Sequence, residues 1–333
     1  MSKPRLFYLD FVRAFATIVI LLTHYNAIYL YAGIPEKAVI STTVCNLYIG
    51  DFGVSLFLII SGASLMYVYE EKLDLKTFYK KRFLNIFPMF WIAYVIGFLL
   101  YFYRNGNIGA APKRNIIFSI LGMDSYLAEL GMQTFVRVGL WFLGFIIIVY
   151  LFFPLLRKGV NDYCKITIVI VGILYICSVL FLKNYCNPTI ILTTRLPEIV
   201  FGMIFVKYIK NVNPYVAILS LGVCIANTVL KPTFSSNIQT TYVGIAAFLV
   251  LVFIAKYVKW KAVKNICSVI CKYSYPCFIV HFQILHRVTS HFDIYALTKN
   301  QSILVFLIGS CVVAVASWLL YHVEQKVRLL FTS

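Results

Sequence analysis

Apolar residues in this chain run in blocks far longer than a water-facing helix or strand needs. A helix that crosses a bilayer takes about 20 mainly apolar residues. Reading for runs of that kind finds ten, at roughly 8–30, 47–69, 83–103, 138–156, 166–183, 190–209, 214–230, 240–258, 268–290 and 303–323. The segments between them are short, except for residues 104–137. No internal repeat or low-complexity linker divides the chain, so residues 1–333 read as a single domain. The first run follows Lys3 and Arg5 but lacks a small-residue cleavage site, so it reads as an uncleaved helix rather than a signal peptide. The pattern predicts an all-α, polytopic integral membrane protein of about ten transmembrane helices.

Composition sharpens the picture. The chain is 61% hydrophobic and 13% charged, where soluble proteins carry about 25% charged residues. Lys and Arg number 30 against 12 Asp and Glu, for a formal net charge of +18. On a soluble chain that excess would point to nucleic acid; here it sits in loops between apolar runs and reads as topology, with no nucleic-acid partner. Nineteen of the 30 basic residues fall on the side that carries both termini and eight on the other, with Arg13, Arg195 and Arg287 within or at the ends of runs. The positive-inside rule therefore predicts cytoplasmic termini, with residues 70–82 and 256–267 inside and 31–45 and 104–137 outside. The nine cysteines show no C-x-x-C pair and no zinc spacing, so they read as small buried hydrophobes and imply no metal.

An ionisable side chain deep in a bilayer costs about 2.5–3.5 kcal/mol on insertion scales, so each one needs a partner or a task. The first run holds Asp10, Arg13 and His24. Arg13 and His24 are eleven residues apart, which brings them to nearly the same helix face with about 16 Å between them along the axis. Asp10, one turn before Arg13, is placed to pair with it. The second run holds Asp51, Ser55, Ser61 and Gly62, and the sixth sets Arg195 and Glu198 one turn apart, where structural pairing and chemistry read equally well. The ninth run carries Ser274, Tyr275 and His281. His281 lies near 20 Å above the cytoplasmic end, about the depth of His24. Two histidines at one depth with arginines below them read as a site spanning the bilayer. Ser61-Gly62 is not a nucleophile elbow, and no phosphate or dinucleotide loop is present.

These residues carry a resemblance. From about residue 8 to 325 the chain resembles the acyltransferase-3 family of membrane acyltransferases. LDFVRAFATIVILLTH resembles the family's opening through Arg13 and His24, and GDFGVSLFLIISG the second-helix signature through Gly53, Val54, Phe57, Ser61 and Gly62. FYKKRFLNIFPMFW matches through Arg82, Pro88 and Trp91, and GLWFLGFIIIVYLFFPLL through Trp141, Phe142, Leu143 and Pro154. RLPEIVFGM fits through Arg195, Pro197, Glu198 and Gly202, and YSYPCFIVH through Ser274, Tyr275 and His281. Two positions depart: Asn85 stands where the family often has a second Arg after Arg82, and Phe278 where it often has Tyr.

The resemblance implies transfer of an acetyl or succinyl group from cytoplasmic acyl-CoA, a co-substrate, with no bound cofactor. The implied acceptor is a hydroxyl of an envelope or exported glycan or a lipid-linked sugar, and the implied setting is a bacterial plasma (inner) membrane with its lipids. Arg13 and Arg82 are then the cations for CoA phosphates, and His24 with Arg13 the catalytic pair, His24 as general base in preference to nucleophile. His281, Tyr275, Trp141, Ser61, Arg195 and Glu198 are candidates for the acceptor site or the tunnel. From the residues alone a second class stays open, a ten-helix secondary transporter or glycan exporter with His24, Arg195 and Glu198 as a relay. Paired Gly/Pro-broken helices in two symmetric halves would favour it, and none is visible. The 104–137 loop is longer than a helix connection needs. Its segments IIFSILGM and YLAELGM predict two short helices at the outer surface with Lys113, Arg114, Asp124 and Glu129 in water, either a lid over the acceptor site or a packed cap that only stabilises the bundle.

Overall fold

Each of the ten apolar runs falls on a helix in the computed structural model, which describes residues 3–109, 111–182 and 187–332. Lys183 and Cys186 lie outside the described residues. The chain opens with α1 (Phe7–Tyr31), turns through a two-stranded hairpin, β1 (Thr43–Val44) and β2 (Leu47–Tyr48), and continues as α2 (Ile49–Tyr69) and α3 (Leu75–Asn105). Two short helices follow, α4 (Ile116–Ile120) and α5 (Asp124–Glu129). Then come α6 (Leu140–Asp162), α7 (Cys164–Phe181), and α8 (Leu192–Ile204), which ends in a π-turn over Phe205–Ile209. The remainder is α9 (Pro214–Leu230), α10 (Ser236–Tyr257), α11 (Lys261–Thr289) and α12 (Lys299–Thr332).

Among the described residues, seven helices are long and apolar enough to cross a membrane: α1, α2, α3, α6, α7, α10 and α12. The other three of the predicted ten fall short for separate reasons. α8 has 13 residues before its π-turn, about 20 Å of helix against about 30 Å of hydrocarbon. α9 has 17. α11 has 29, but Lys272, Ser274, Tyr275 and His281 in mid-helix lower its hydropathy. The chain is a multi-pass membrane protein: α7 alone turns Ile166, Ile168, Val169, Ile170, Ile173 and Ile176 outward, an apolar face that water would not tolerate and lipid does.

Helix ends overrun the apolar runs. α3 starts at Leu75, eight residues before the predicted start at 83, because helix formation needs only a cap and good propensity whereas apolarity is demanded by lipid alone. Its cap is Asp74, whose side chain accepts from the Thr77 amide at 2.8 Å; hydrogen bonds from the Thr77 side chain and then its amide hold the Asp74 carboxyl below its usual range. α3 stops where Gly106 takes the left-handed conformation and donates to Phe102 O.

α2 is the central helix, packed against α1, α8 and α10. Its closest approach is to α8 and is reciprocal: an added Cβ on Gly62 would land on the Ile199 carbonyl oxygen, and one on Gly202 on the Ile59 carbonyl oxygen. Small residues that let two backbones touch are how membrane helices gain packing energy without a hydrophobic effect between them.

The 104–137 loop forms the two expected short helices, which pack onto α3 and α6. Trp91 of α3 donates to Ile120 O at 2.9 Å, Asn115 to Gln133 O at 2.7 Å, and α5 lies so close on α6 that a Cβ at Gly144 would meet Tyr126. Lys113, Arg114 and Glu129 are exposed as expected, but Asp124 is not. It is buried beside Ser119 and Tyr94. The helix that apolar Leu127 and Tyr126 pin against the bundle carries Asp124 inward with them. Burial pushes the Asp124 carboxyl up, so the folded state favours its protonated form. That stability is fully present below the unfolded carboxyl value of about 3.9 and is lost as pH rises through the raised folded value. Asp124→Asn is therefore expected to raise Tm at pH 7, with the gain vanishing near the unfolded value. Thermal unfolding in detergent at both pH values measures this, and a lower Tm for the Asn variant at pH 7 would contradict it.

Candidate active site

A cavity of about 470 Å³ is enclosed by residues of α1, α2, α3, α6 and α11. Seven of the nine residues singled out from the sequence line it: Arg13, His24, Ser61, Arg82, Trp141, Tyr275 and His281. Arg195 and Glu198 do not.

One end of the cavity is basic. Arg13 turns from α1 toward α2 and donates from Nη2 to Ser64 Oγ at 3.0 Å. The expected pair with Asp10 is not formed; Asp10 instead binds Arg5, with Nε–Oδ2 at 3.0 Å. Helix side chains tilt toward the N-terminus, which carries the Asp10 carboxylate down to Arg5 and away from Arg13. Arg82 of α3 sits against three rings, with its guanidinium carbon 5.8 Å from the Tyr69 centroid, 5.7 Å from Phe78 and 5.4 Å from Tyr150. Its Nη2 donates to the Tyr69 hydroxyl at 3.3 Å. Among the described residues neither Arg13 nor Arg82 forms an ion pair with a carboxylate. Asn85, where a second arginine was the expectation, accepts from Arg328 Nη2 of α12 at 3.0 Å, so a guanidinium reaches that place from another helix.

The other end holds two imidazoles. The His24 and His281 ring centroids are 5.0 Å apart with planes inclined at 53°, and Phe282 stands edge-on to His24 at 5.5 Å. The equal depth read from residue counting thus corresponds to direct contact. His281 Nδ1 lies 3.0 Å from Cys277 O and 2.9 Å from Phe278 O. Carbonyl oxygens only accept, so Nδ1 carries the proton and Nε2 presents a lone pair. That Nε2 is buried and has no hydrogen-bond partner among the described residues.

Between the ends the wall is aromatic: Phe57, Trp141, Phe142 and Phe278 line it, and Phe142 meets Phe278 edge-on at 5.7 Å. Tyr275 donates its hydroxyl to Ile86 O at 2.9 Å, tying α11 to α3 beside the cavity. Ser61 donates to Phe57 O at 2.7 Å, so its hydroxyl is spent on its own helix. Sequence reading missed Ser64, Tyr69 and Tyr150. Ser64 is one turn from Ser61 and shares its face; no pattern in the apolar run marks Tyr150 as the ring beneath Arg82.

Arg195 and Glu198 instead form a buried ion cluster between α8 and the start of α2. Arg195 Nη1 binds Glu198 Oε1 at 3.0 Å, Nη2 lies 3.8 Å from Asp51 Oδ1, and Nε donates to Thr189 O at 3.1 Å. The structure therefore joins them to each other and to Asp51 rather than to His24. Among the described residues no group of three or more His, Cys, Asp or Glu side chains gathers as a metal site would require.

Against known proteins, residues 6–322 match the family model described as an acyltransferase domain, acyltransferase-3. No curated protein and no solved structure matches the chain.

Proposed function

Because the chain belongs to the acyltransferase-3 family, we propose that it carries an acyl group, acetyl or succinyl, from cytoplasmic acyl-CoA to a hydroxyl of an envelope or exported glycan or of a lipid-linked sugar. The observation that carries this reading is one cavity with two arginines that pair with no carboxylate among the described residues at one end and two imidazoles in contact at the other. Phosphates of CoA suit the arginines, where charge-assisted bonds form without first breaking an ion pair. The thioester then lies along the aromatic wall with its carbonyl near the histidines.

In the proposed step the acceptor hydroxyl attacks the thioester carbonyl while His24 takes its proton. The tetrahedral centre collapses, the carbon–sulfur bond breaks, and the proton passes to the leaving CoA sulfur. In this scheme a small rotation within the 5.0 Å ring contact brings an N–H of His24 onto Nε2 of His281, which has no partner among the described residues, and leaves the other His24 nitrogen as the basic lone pair. His281 acts in this scheme as a positioning residue, much as a carboxylate orients a catalytic histidine. Trp141 offers a face for a sugar ring. Purified protein in vesicles, given labelled acetyl-CoA with and without glycan acceptors, tests the proposal. Acceptor-dependent transfer of label supports it, and acceptor-independent behaviour across a glycan panel, with no hydrolysis or transfer, counts against it.

Arg13→Ala is expected to weaken acyl-CoA binding by about tenfold or more, the loss of a charged hydrogen bond of about 1.5–3 kcal/mol. Arg13→Lys should recover only part of that, because a point charge does not replace a fork of donors. Equilibrium binding of acyl-CoA to each variant reads this, and unchanged affinity in Arg13→Ala would remove the arginine from the site.

The scheme sets the basic end on the cytoplasmic side, as the charge bias along the chain suggests. A single cysteine at position 76 in a cysteine-free background should resist an impermeant thiol reagent in intact cells and react after lysis. Labelling from outside would invert the topology and with it the side on which acyl-CoA enters.

A further inference from the structure

The hairpin between α1 and α2 turns on Cys45 (φ 49°) and Asn46 (φ 61°), between the paired residues Val44 and Leu47. Positive φ at both central residues is the type I′ arrangement, which ordinarily selects Asn, Asp or Gly. Asn46 fits; a cysteine at the first position holds its backbone where side chains are disfavoured, and an outlier of that kind points to a task. The turn is clamped on two helices. Asn227 of α9 donates to Cys45 O at 2.6 Å, and Asn46 donates to Gln239 Oε1 of α10 at 3.0 Å.

The clamp sets Cys45 beside Cys224, one turn before Asn227 on α9, with Thr228 close by and both cysteines packed in one apolar cluster. Both cysteines are free thiols in the structure. Cys224 is buried in the apolar core, whereas Cys45 is partly buried at its edge. A more exposed thiol beside a sheltered one is the arrangement of an attacking and a resolving cysteine. Hydrogen bonds from Cys224 and Thr228 push the Cys45 thiol down, toward the nucleophilic thiolate.

We propose that Cys45 and Cys224 are a redox pair that closes to a disulfide by exchange with an external disulfide compound. The Cys45 thiolate attacks one sulfur of that compound, forming a mixed disulfide and releasing the first thiol. Cys224, deprotonated, then attacks the Cys45 sulfur, the bond to the external sulfur breaks, and the second thiol leaves. Two protein thiols are oxidised, one external disulfide is reduced to two thiols, and the two protons end on those thiols. The new bond fastens the start of α2, which leads to Ser61 and Ser64 at the cavity, to α9.

The full-length chain, purified in detergent, is incubated with oxidised glutathione, its remaining thiols are alkylated under denaturing conditions, and its peptides are mapped by mass spectrometry. The expected result is a Cys45–Cys224 linked peptide that reductant abolishes, with higher Tm in the linked form. Cys224→Ser should trap glutathione on Cys45, and Cys45→Ser should leave Cys224 alkylated. Alkylation of both cysteines in the wild-type chain, or glutathione held on Cys45 with Cys224 alkylated, overturns the proposal. Run on purified protein, the exchange does not depend on which membrane side the hairpin faces, so its failure leaves the proposed topology and acyl transfer standing.

Discussion

His24→Ala should lower the rate of acyl transfer by about a thousandfold, within the range of 10²–10⁴ that a positioned general base contributes, and leave acyl-CoA affinity nearly unchanged. The separation of effects follows from distance. Arg13 and His24 stand eleven residues apart on one helix, about 16 Å along its axis, so truncating the imidazole leaves the basic end as it was. Single-turnover measurement with bound acyl-CoA separates chemistry from binding. Turnover at the wild-type rate in His24→Ala would end the catalytic assignment.

Gly202→Ala is the second large effect, and it concerns the fold rather than the chemistry. The added methyl would occupy the place of the Ile59 carbonyl oxygen. Neither group is the end of a flexible side chain, so α2 and α8 must separate along their whole contact. Overpacking a tight interface costs about 1–3 kcal/mol and at times more, and backbone against backbone lies at the upper end. The separation would also pull Arg195 from Asp51, 3.8 Å away, and leave a buried charge less well neutralised. Gly62→Ala should behave alike, since its methyl meets the Ile199 carbonyl on the same seam. Thermal unfolding of the detergent-solubilised protein provides the measurement. A Gly202→Ala protein that melts with the wild type would show that the helices are not held as close as described.

The site was legible in the chain where chemistry and apolar context conflict. His24 and His281 stand in runs that lipid should have kept apolar, and counting residues set them at one depth, so their contact could be anticipated from two numbers and a helix rise. The same signal is ambiguous at Arg195 and Glu198, because a buried ion pair and a reacting pair look alike along a chain; the structure adds a third partner, Asp51, and a cavity lining that does not include them. Asp124 was illegible for the opposite reason. A carboxylate in a polar loop raises no conflict, and its burial is decided by where Tyr126 and Leu127 pin the helix that carries it. Apolar runs likewise reveal where lipid is, but not where a helix ends, which is why α3, α11 and α12 extend beyond their predicted spans.

The two guanidinium groups without carboxylate partners have a consequence for the membrane itself. An enzyme that brings a soluble co-substrate halfway across a bilayer must hold open a wet path, and a wet path is a leak. Fixed positive charge at the mouth of such a path repels sodium and hydronium, as it does in pores that pass neutral solutes while barring protons. On the proposed function, Arg13 and Arg82 would admit the anionic co-substrate at the basic end of the cavity and disfavour cations there, so that end would select against leak without a separate gate.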